Sequence, residues 1–138
     1  MTTIVDASVV VKWFLPESDS EAATALLERD DLAVPRLCPI EVANALWRRR
    51  RSDQLTRSEY AGLIEELTRL PVALLDDGVL LAGAAALAAD LDHPIYDCIY
   101  VEAAIRNDGE LITADRRLVE AVRRKRALRG RVRLLSGT

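Results

Sequence analysis

A chain of 138 residues, half of them apolar and with Ala, Leu and Val far outnumbering aromatics, can bury a core as one domain without staples. Its two cysteines, Cys38 and Cys98, exclude a disulfide framework and match no zinc spacing, so a reducing cytoplasm is the simplest expected home. The net charge of −3 argues against a uniformly basic nucleic-acid binder, yet it hides a split: residues 106–138 carry ten basic and four acidic groups, residues 1–105 nine and eighteen.

Residues 2–5 predict a short buried strand, and Ser8 to Leu15 a short helix stopped by Pro16. No basic lead-in precedes this stretch, and Asp6 and Lys12 interrupt it, so it does not read as a signal peptide. Ser18-Asp19-Ser20-Glu21 has the form of a capping box and predicts a helix from Asp19 to about Arg29. Leu32-Ala33-Val34 is a second strand ending at Pro35. A helix from about Pro39 to Arg51 follows, with Ile40, Ala43 and Leu46/Trp47 expected on its apolar face. Thr56-Arg57-Ser58-Glu59 is another capping box and opens a helix to about Arg69.

Val72 to Leu75 is the third strand, and an alanine-rich helix runs from about Gly78 to Leu91. Its apolar core, Val79 to Leu91, is too short to span a bilayer and reads as a buried helix, so no membrane partner is expected. The next helix runs from Tyr96 or Asp97 to Asn107, where Asn107-Asp108-Gly109 turns the chain. Glu110 to Thr113 is the fourth strand, Asp115 to about Lys125 a helix, and Val132 to Leu135 the fifth strand. Short apolar strands alternating with helices define an α/β fold: a central, mostly parallel five-stranded sheet between two helical layers. Ligands of such sheets bind outside the carboxyl ends of the strands.

Four acids fall where that end would gather them. Asp6 closes the first strand, Asp115 follows the fourth, and Glu41 and Asp97 each open a helix. No lysine or arginine lies within two positions of Glu41 or Asp97. Crowded carboxylates repel one another unless a positive charge sits among them, and a hard divalent cation such as Mg²⁺ takes oxygen ligands and meets that need. Asp6, Asp97 and Asp115 each have a plain alternative at a helix N-terminus, whereas Glu41, on a helix whose neighbouring turns are largely apolar, is harder to explain that way. Capping does not explain why all four converge on one end of the sheet. The arginines Arg48-Arg49-Arg50-Arg51 and Arg116-Arg117 flank this end and could steer a polyanion, or could simply be solvated helix faces. His93, before Pro94, reads as a loop residue.

The string Val5-Asp6-Ala7-Ser8-Val9-Val10-Val11-Lys12-Trp13-Phe14 resembles the opening of the PIN-domain ribonucleases, and more narrowly of the VapC toxins of toxin–antitoxin pairs. The resemblance continues through Pro39-Ile40-Glu41-Val42-Ala43-Asn44-Ala45-Leu46, through Tyr96-Asp97-Cys98-Ile99-Tyr100-Val101-Glu102-Ala103-Ala104, and through Leu111-Ile112-Thr113-Ala114-Asp115-Arg116-Arg117-Leu118. It implies that Asp6, Glu41, Asp97 and Asp115 hold Mg²⁺ or Mn²⁺, with Asp6 and Asp97 as direct ligands. It also implies supporting polar roles for Thr113, Ser8 and Asn44. Arg48, Arg49, Arg116 and Arg117 become candidates for holding an RNA backbone. A further acid that some PIN nucleases carry after the fourth is replaced here by Arg116-Arg117. The expected activity is metal-dependent cleavage of single-stranded RNA leaving a 5′-phosphate. The expected partners are a small DNA-binding antitoxin and a second copy of the chain, with Trp13, Phe14, Trp47 and Tyr60 as groove candidates.

The rival is a non-catalytic PIN-like module that binds RNA or protein, which would not need all four acids. Phosphotransfer folds fit poorly. A haloacid-dehalogenase-like phosphatase needs a second Asp where Ser8 stands, and a response-regulator receiver needs a lysine after the fifth strand, where there is none.

Overall fold

The computed structural model describes residues 2–136. Its sheet contains β1 Thr3–Val5, β2 Leu32–Pro35, β3 Ala73–Leu75, β4 Glu110–Thr113 and β5 Val132–Leu134. The strands lie in the order β3-β2-β1-β4-β5. Every pairing is parallel, with Ile4 of β1 aligned to Ala33 on one side and Leu111 on the other. The expectation of a mostly parallel sheet thus sharpens to an all-parallel one. The three inner strands are buried on both faces, which is why they read as unbroken apolar runs, while β3 and β5 are more open edges.

The helices are α1 Ala7–Val10, α2 Ser20–Ala25, α3 Leu37–Arg51, α4 Arg57–Leu67, α5 Asp77–Leu91, α6 Ile95–Arg106 and α7 Arg116–Arg123. Connections from β1 to β2 to β3 run one way across the sheet, and those from β3 to β4 to β5 run the other. Right-handed crossovers therefore put α1–α4 on one face and α5–α7 on the opposite face. Contacts agree: α1 packs on α3 and α3 on α4, whereas α5 packs on α6. The direction changes between β1 and β4, and that switch point opens a crevice beyond their carboxyl ends.

Several local expectations change. The first helix is one α-helical turn continued by a 3₁₀ turn at Val11–Trp13, as suits a run of three β-branched valines. The box at Ser18–Glu21 does not form. Asp19 stands at the N-cap of α2 in the left-handed region (φ 65°), and Ser20 Oγ accepts from Glu17 N instead. The box at Thr56–Glu59 does form, with Glu59 N donating to Thr56 Oγ1 (3.0 Å) and Thr56 N to Glu59 Oε1 (2.8 Å). Helix α3 starts before Pro39, because Leu37 N finds a distant acceptor in Asp77 Oδ1 (3.2 Å) and proline is tolerated in a first turn. Its buried stripe is Cys38, Val42 and Leu46. Ile40 and Trp47, expected inside, are 68% and 45% exposed.

Among the described residues no single helix is long and apolar enough to cross a membrane.

Candidate metal centre

Asp6 leaves β1 at the switch point, its N–H donating to Ile112 O of β4 (3.0 Å). The residue is only 5% exposed. Although Asp6 occupies the N-cap position of α1, its side chain makes no capping bond. Its Oδ2 instead accepts from Ser8 Oγ and Thr113 Oγ1, both at 2.7 Å. Those hydroxyls are held in turn, Ser8 Oγ accepting from Ala114 N and Thr113 Oγ1 from Asp115 N, both at 3.0 Å. Burial pushes the Asp6 pKa above the ordinary carboxylate value. The two hydroxyls work against that rise, and the charge of Asp97 adds to it.

Glu41 sits one turn into α3, with Oε1 accepting from the phenol of Tyr100 at 2.5 Å. Its pKa is raised as well, first by burial and further by the charges of Asp6, Asp97 and Asp77, against the lowering effect of the Tyr100 bond. Tyr100 is fully buried, and burial drives its own pKa upward, so it remains a proton donor to Glu41. Cys38 lies beside this pair, its thiol pushed up to about 12 by burial, which keeps it protonated.

Asp97, in the first turn of α6, is the hinge of the site. On one side its charge acts on Asp6 and Glu41. On the other, Oδ2 accepts from His93 Nε2 at 2.7 Å. One ligand atom each from His93, Asp97 and Asp115 lies within 4.8 Å of the others. Asp115 has two roles. Its Oδ1 caps α7 by accepting from Arg117 N (2.9 Å) and Leu118 N (3.4 Å), so the plain capping explanation holds for it while its carboxylate also borders His93 and Asp97.

The other sequence candidates spread out. Asn44 is exposed, and no hydrogen bond of its side chain occurs among the described residues. Arg48 is exposed near the far end of α3, about 10 Å along the axis from Glu41 at 1.5 Å per residue. Arg49 is tied to Glu17 at 2.6 Å. Arg116 and Arg117 are exposed on the first turn of α7, and Arg117 lines an open pocket with His93, Asp92, Glu120 and Arg124. Trp13 is anchored by Nε1 donating to Ala23 O (2.7 Å), Tyr60 packs against the core, and Phe14 lines an apolar groove with Leu15, Pro16, Leu55 and Leu63.

Two residues of the site were not singled out by sequence reasoning. Tyr100 carried a signal, because a tyrosine on a buried apolar helix face needs a partner for its hydroxyl. His93 reads as a loop residue and is one; only the bend between α5 and α6 brings its ring onto Asp97.

Ion pairs among the described residues join lysines and arginines to other acids, as in Arg49–Glu17, Arg29–Asp31 and Lys125–Asp90, whereas Asp97 meets His93. An almost fully buried carboxylate facing two others is a donor set that suits a hard divalent ion.

A five-stranded parallel α/β sheet with carboxylates converging at its switch point defines the class, and the family model described as the PIN domain matches residues 3–124. The chain belongs to the PIN-domain family. It is 36% identical over 123 residues to ribonuclease VapC3 of Pyrobaculum aerophilum, covering 87% of this chain and 94% of that one. Among solved structures, PAE2754 from Pyrobaculum aerophilum superposes with a TM-score of 0.74 at 21% identity, over 98% of this chain and 84% of that one. A toxin–antitoxin complex from Klebsiella pneumoniae gives 0.62 at 16% identity, over 99% and 100%. At those identities the two structures speak to the fold.

Proposed function

We propose that the chain is a divalent-metal-dependent endoribonuclease, the toxin of a VapBC-type toxin–antitoxin pair, acting in the cytoplasm as one PIN domain. The observation that carries this reading is Asp6: a carboxylate 5% exposed, facing the charges of Asp97 and Glu41 at the switch point of the sheet. The ribonuclease name of the 36%-identical relative supports RNA as substrate, and the toxin–antitoxin complex among the structural neighbours supports an antitoxin partner.

In this reading Asp6 and Asp97 hold Mg²⁺ or Mn²⁺ directly, and Glu41 and Asp115 complete the shell directly or through water. When bound, such an ion makes a water more acidic and offsets the charge that grows on the phosphate during hydrolysis. Ser8 and Thr113 fix Asp6 by occupying Oδ2, leaving Oδ1 for the ion. Tyr100 fixes Glu41 in the same manner. Arg116 and Arg117, beside Asp115, are better placed than Arg48 to meet the RNA backbone, and Arg49 would first have to leave Glu17. A small DNA-binding antitoxin would seat an apolar segment in the groove lined by Phe14, Leu15, Leu55 and Leu63. A homodimer would cover the exposed Val79 and Leu81 of α5.

The test uses antitoxin-free protein on a mixed RNA pool, with Mn²⁺ or Mg²⁺ against EDTA, and the Asp6→Ala/Asp97→Ala double variant alongside. Metal-dependent cuts absent from the double variant are expected. Cuts that persist in EDTA or in the double variant would overturn the reading, and metal-dependent stabilisation without cutting would point to a highly selective nuclease.

A further inference from the structure

The acidic pocket has a second side that is not purely acidic. His93 lies in the short loop between α5 and α6, and that loop is fixed at several points. Asp92 adopts the left-handed conformation (φ 51°) that ends α5, and His93 N donates to Ala88 O (3.2 Å). Pro94 sets the entry to α6, and Cys98 Sγ donates to His93 O (3.8 Å). The imidazole is therefore held in place with its side chain 12% exposed. Its Nε2 meets Asp97 Oδ2 at 2.7 Å, and the Asp115 carboxylate closes a triangle with all three donors within 4.8 Å. Ligands on opposite sides of one first-row ion stand about 4 Å apart, since metal–nitrogen and metal–oxygen bonds are about 2.0–2.2 Å. A small inward movement of these three side chains would suffice to share an ion.

We propose that His93 is a direct nitrogen ligand, through Nε2, to a divalent cation held with Asp97 and Asp115, making this side of the site a mixed nitrogen–oxygen centre selective for Mn²⁺ over Mg²⁺. Mg²⁺ favours all-oxygen octahedra and dehydrates reluctantly, whereas imidazole suits first-row transition metals. As a ligand the ring would be neutral, with its proton on Nδ1 and the Nε2 lone pair toward the ion, so the contact with Asp97 would give way to shared coordination. No oxidant or other reactant is required. Asp97 is common to this triangle and to the Asp6–Glu41 side, so occupancy of the one would bear on the other. The inference rests on the metal-binding reading above.

His93 is the only histidine in the chain, which makes the test direct. Untagged protein is loaded with Mn²⁺, and electron spin-echo envelope modulation is recorded for the wild type and for His93→Gln. Modulation from a coordinated imidazole ¹⁴N is expected in the wild type and absent from the variant. Titration calorimetry should show Mn²⁺ affinity falling about tenfold or more in His93→Gln, with Mg²⁺ affinity changing much less. Thermal unfolding in EDTA checks that the variant is folded. Stoichiometric Mn²⁺ binding without ¹⁴N modulation would overturn this proposal and leave the metal-binding reading standing, with His93 reduced to a positioning residue for Asp97. Equal losses for Mn²⁺ and Mg²⁺ would overturn the selectivity. Failure of the wild type to bind Mn²⁺ at all would overturn both.

Discussion

Tyr100→Phe removes one oxygen from the site and leaves the ring packing in place. That oxygen belongs to a fully buried side chain and donates to Glu41 at 2.5 Å. A hydrogen bond to a charged group is worth about 1.5–3 kcal/mol. Glu41 is partly open to solvent, so water replaces some of what is lost, and the lower part of that range, about 1.5–2 kcal/mol, applies at neutral pH. For a chain of this length each kcal/mol moves Tm by about 3–5 °C, giving a drop of about 5–10 °C. The pH dependence has a definite sign. Burial and neighbouring acids raise the Glu41 pKa, so its ionised form costs stability in the folded state, and the Tyr100 bond reduces that cost. At about pH 4.5, where the upward shift leaves Glu41 more than half protonated, the bond at stake is mostly a neutral one worth about 1 kcal/mol. The difference in Tm between wild type and variant, measured by calorimetry in EDTA, should therefore shrink as pH falls from neutral. A drop that is absent, or equal at both pH values, would refute the coupling of Tyr100 to an ionised Glu41.

Asp6→Asn should raise the Tm of the metal-free protein at neutral pH. The folded pKa of Asp6 lies above its unfolded value, so the destabilisation from ionising it is absent below the ordinary carboxylate range and complete above the folded pKa. The gain over wild type should thus vanish in acid, as thermal unfolding across pH would reveal. The same variant should lose most of the stabilisation by Mn²⁺, which for the wild type is about 2.7 kcal/mol at a hundredfold excess over Kd. Asp97→Asn should keep the fold and lose cleavage by more than about a hundredfold, the scale for one preorganised electrostatic contact in an active site, as read by RNA cleavage beside circular dichroism. Gly109→Ala would drive its Cβ into Thr2 O, a backbone atom, and should cost about 1–3 kcal/mol in urea denaturation.

What the sequence revealed, and what it hid, follows from the range of the interactions. The inner strands were legible because burial on both faces demands continuous apolar runs, as in Thr3-Ile4-Val5 and Leu111-Ile112. The positions of Asp6 and Asp115 followed from strand ends and one rule of α/β sheets. Interactions across the chain were not legible. The start of α3 depends on Asp77, forty positions away, and the burial of Leu46 rather than Trp47 depends on how α3 turns against the sheet. Ser18–Glu21 has the letters of a capping box, but Ser20 is engaged by Glu17 and the box is lost. The tether of Glu41 to Tyr100, fifty-nine positions apart, exists only once α3 and α6 are assembled, whereas that of Asp97 to His93 is local and depends on the bend between α5 and α6.

The chemistry of the cut ends tests the central claim most directly. Hydrolysis by water at a metal-supported carboxylate site leaves a 5′-phosphate and a 3′-hydroxyl, whereas attack by the neighbouring 2′-hydroxyl leaves a 5′-hydroxyl and a 2′,3′-cyclic phosphate. An RNA cleaved by the purified protein with Mn²⁺ is analysed by mass spectrometry and by ligation that requires a 5′-phosphate. The account predicts 5′-phosphate ends, and continued cutting when the 2′-hydroxyl at the scissile nucleotide is replaced by hydrogen. Cyclic phosphate ends, or a cut that requires that hydroxyl as its nucleophile, would contradict it.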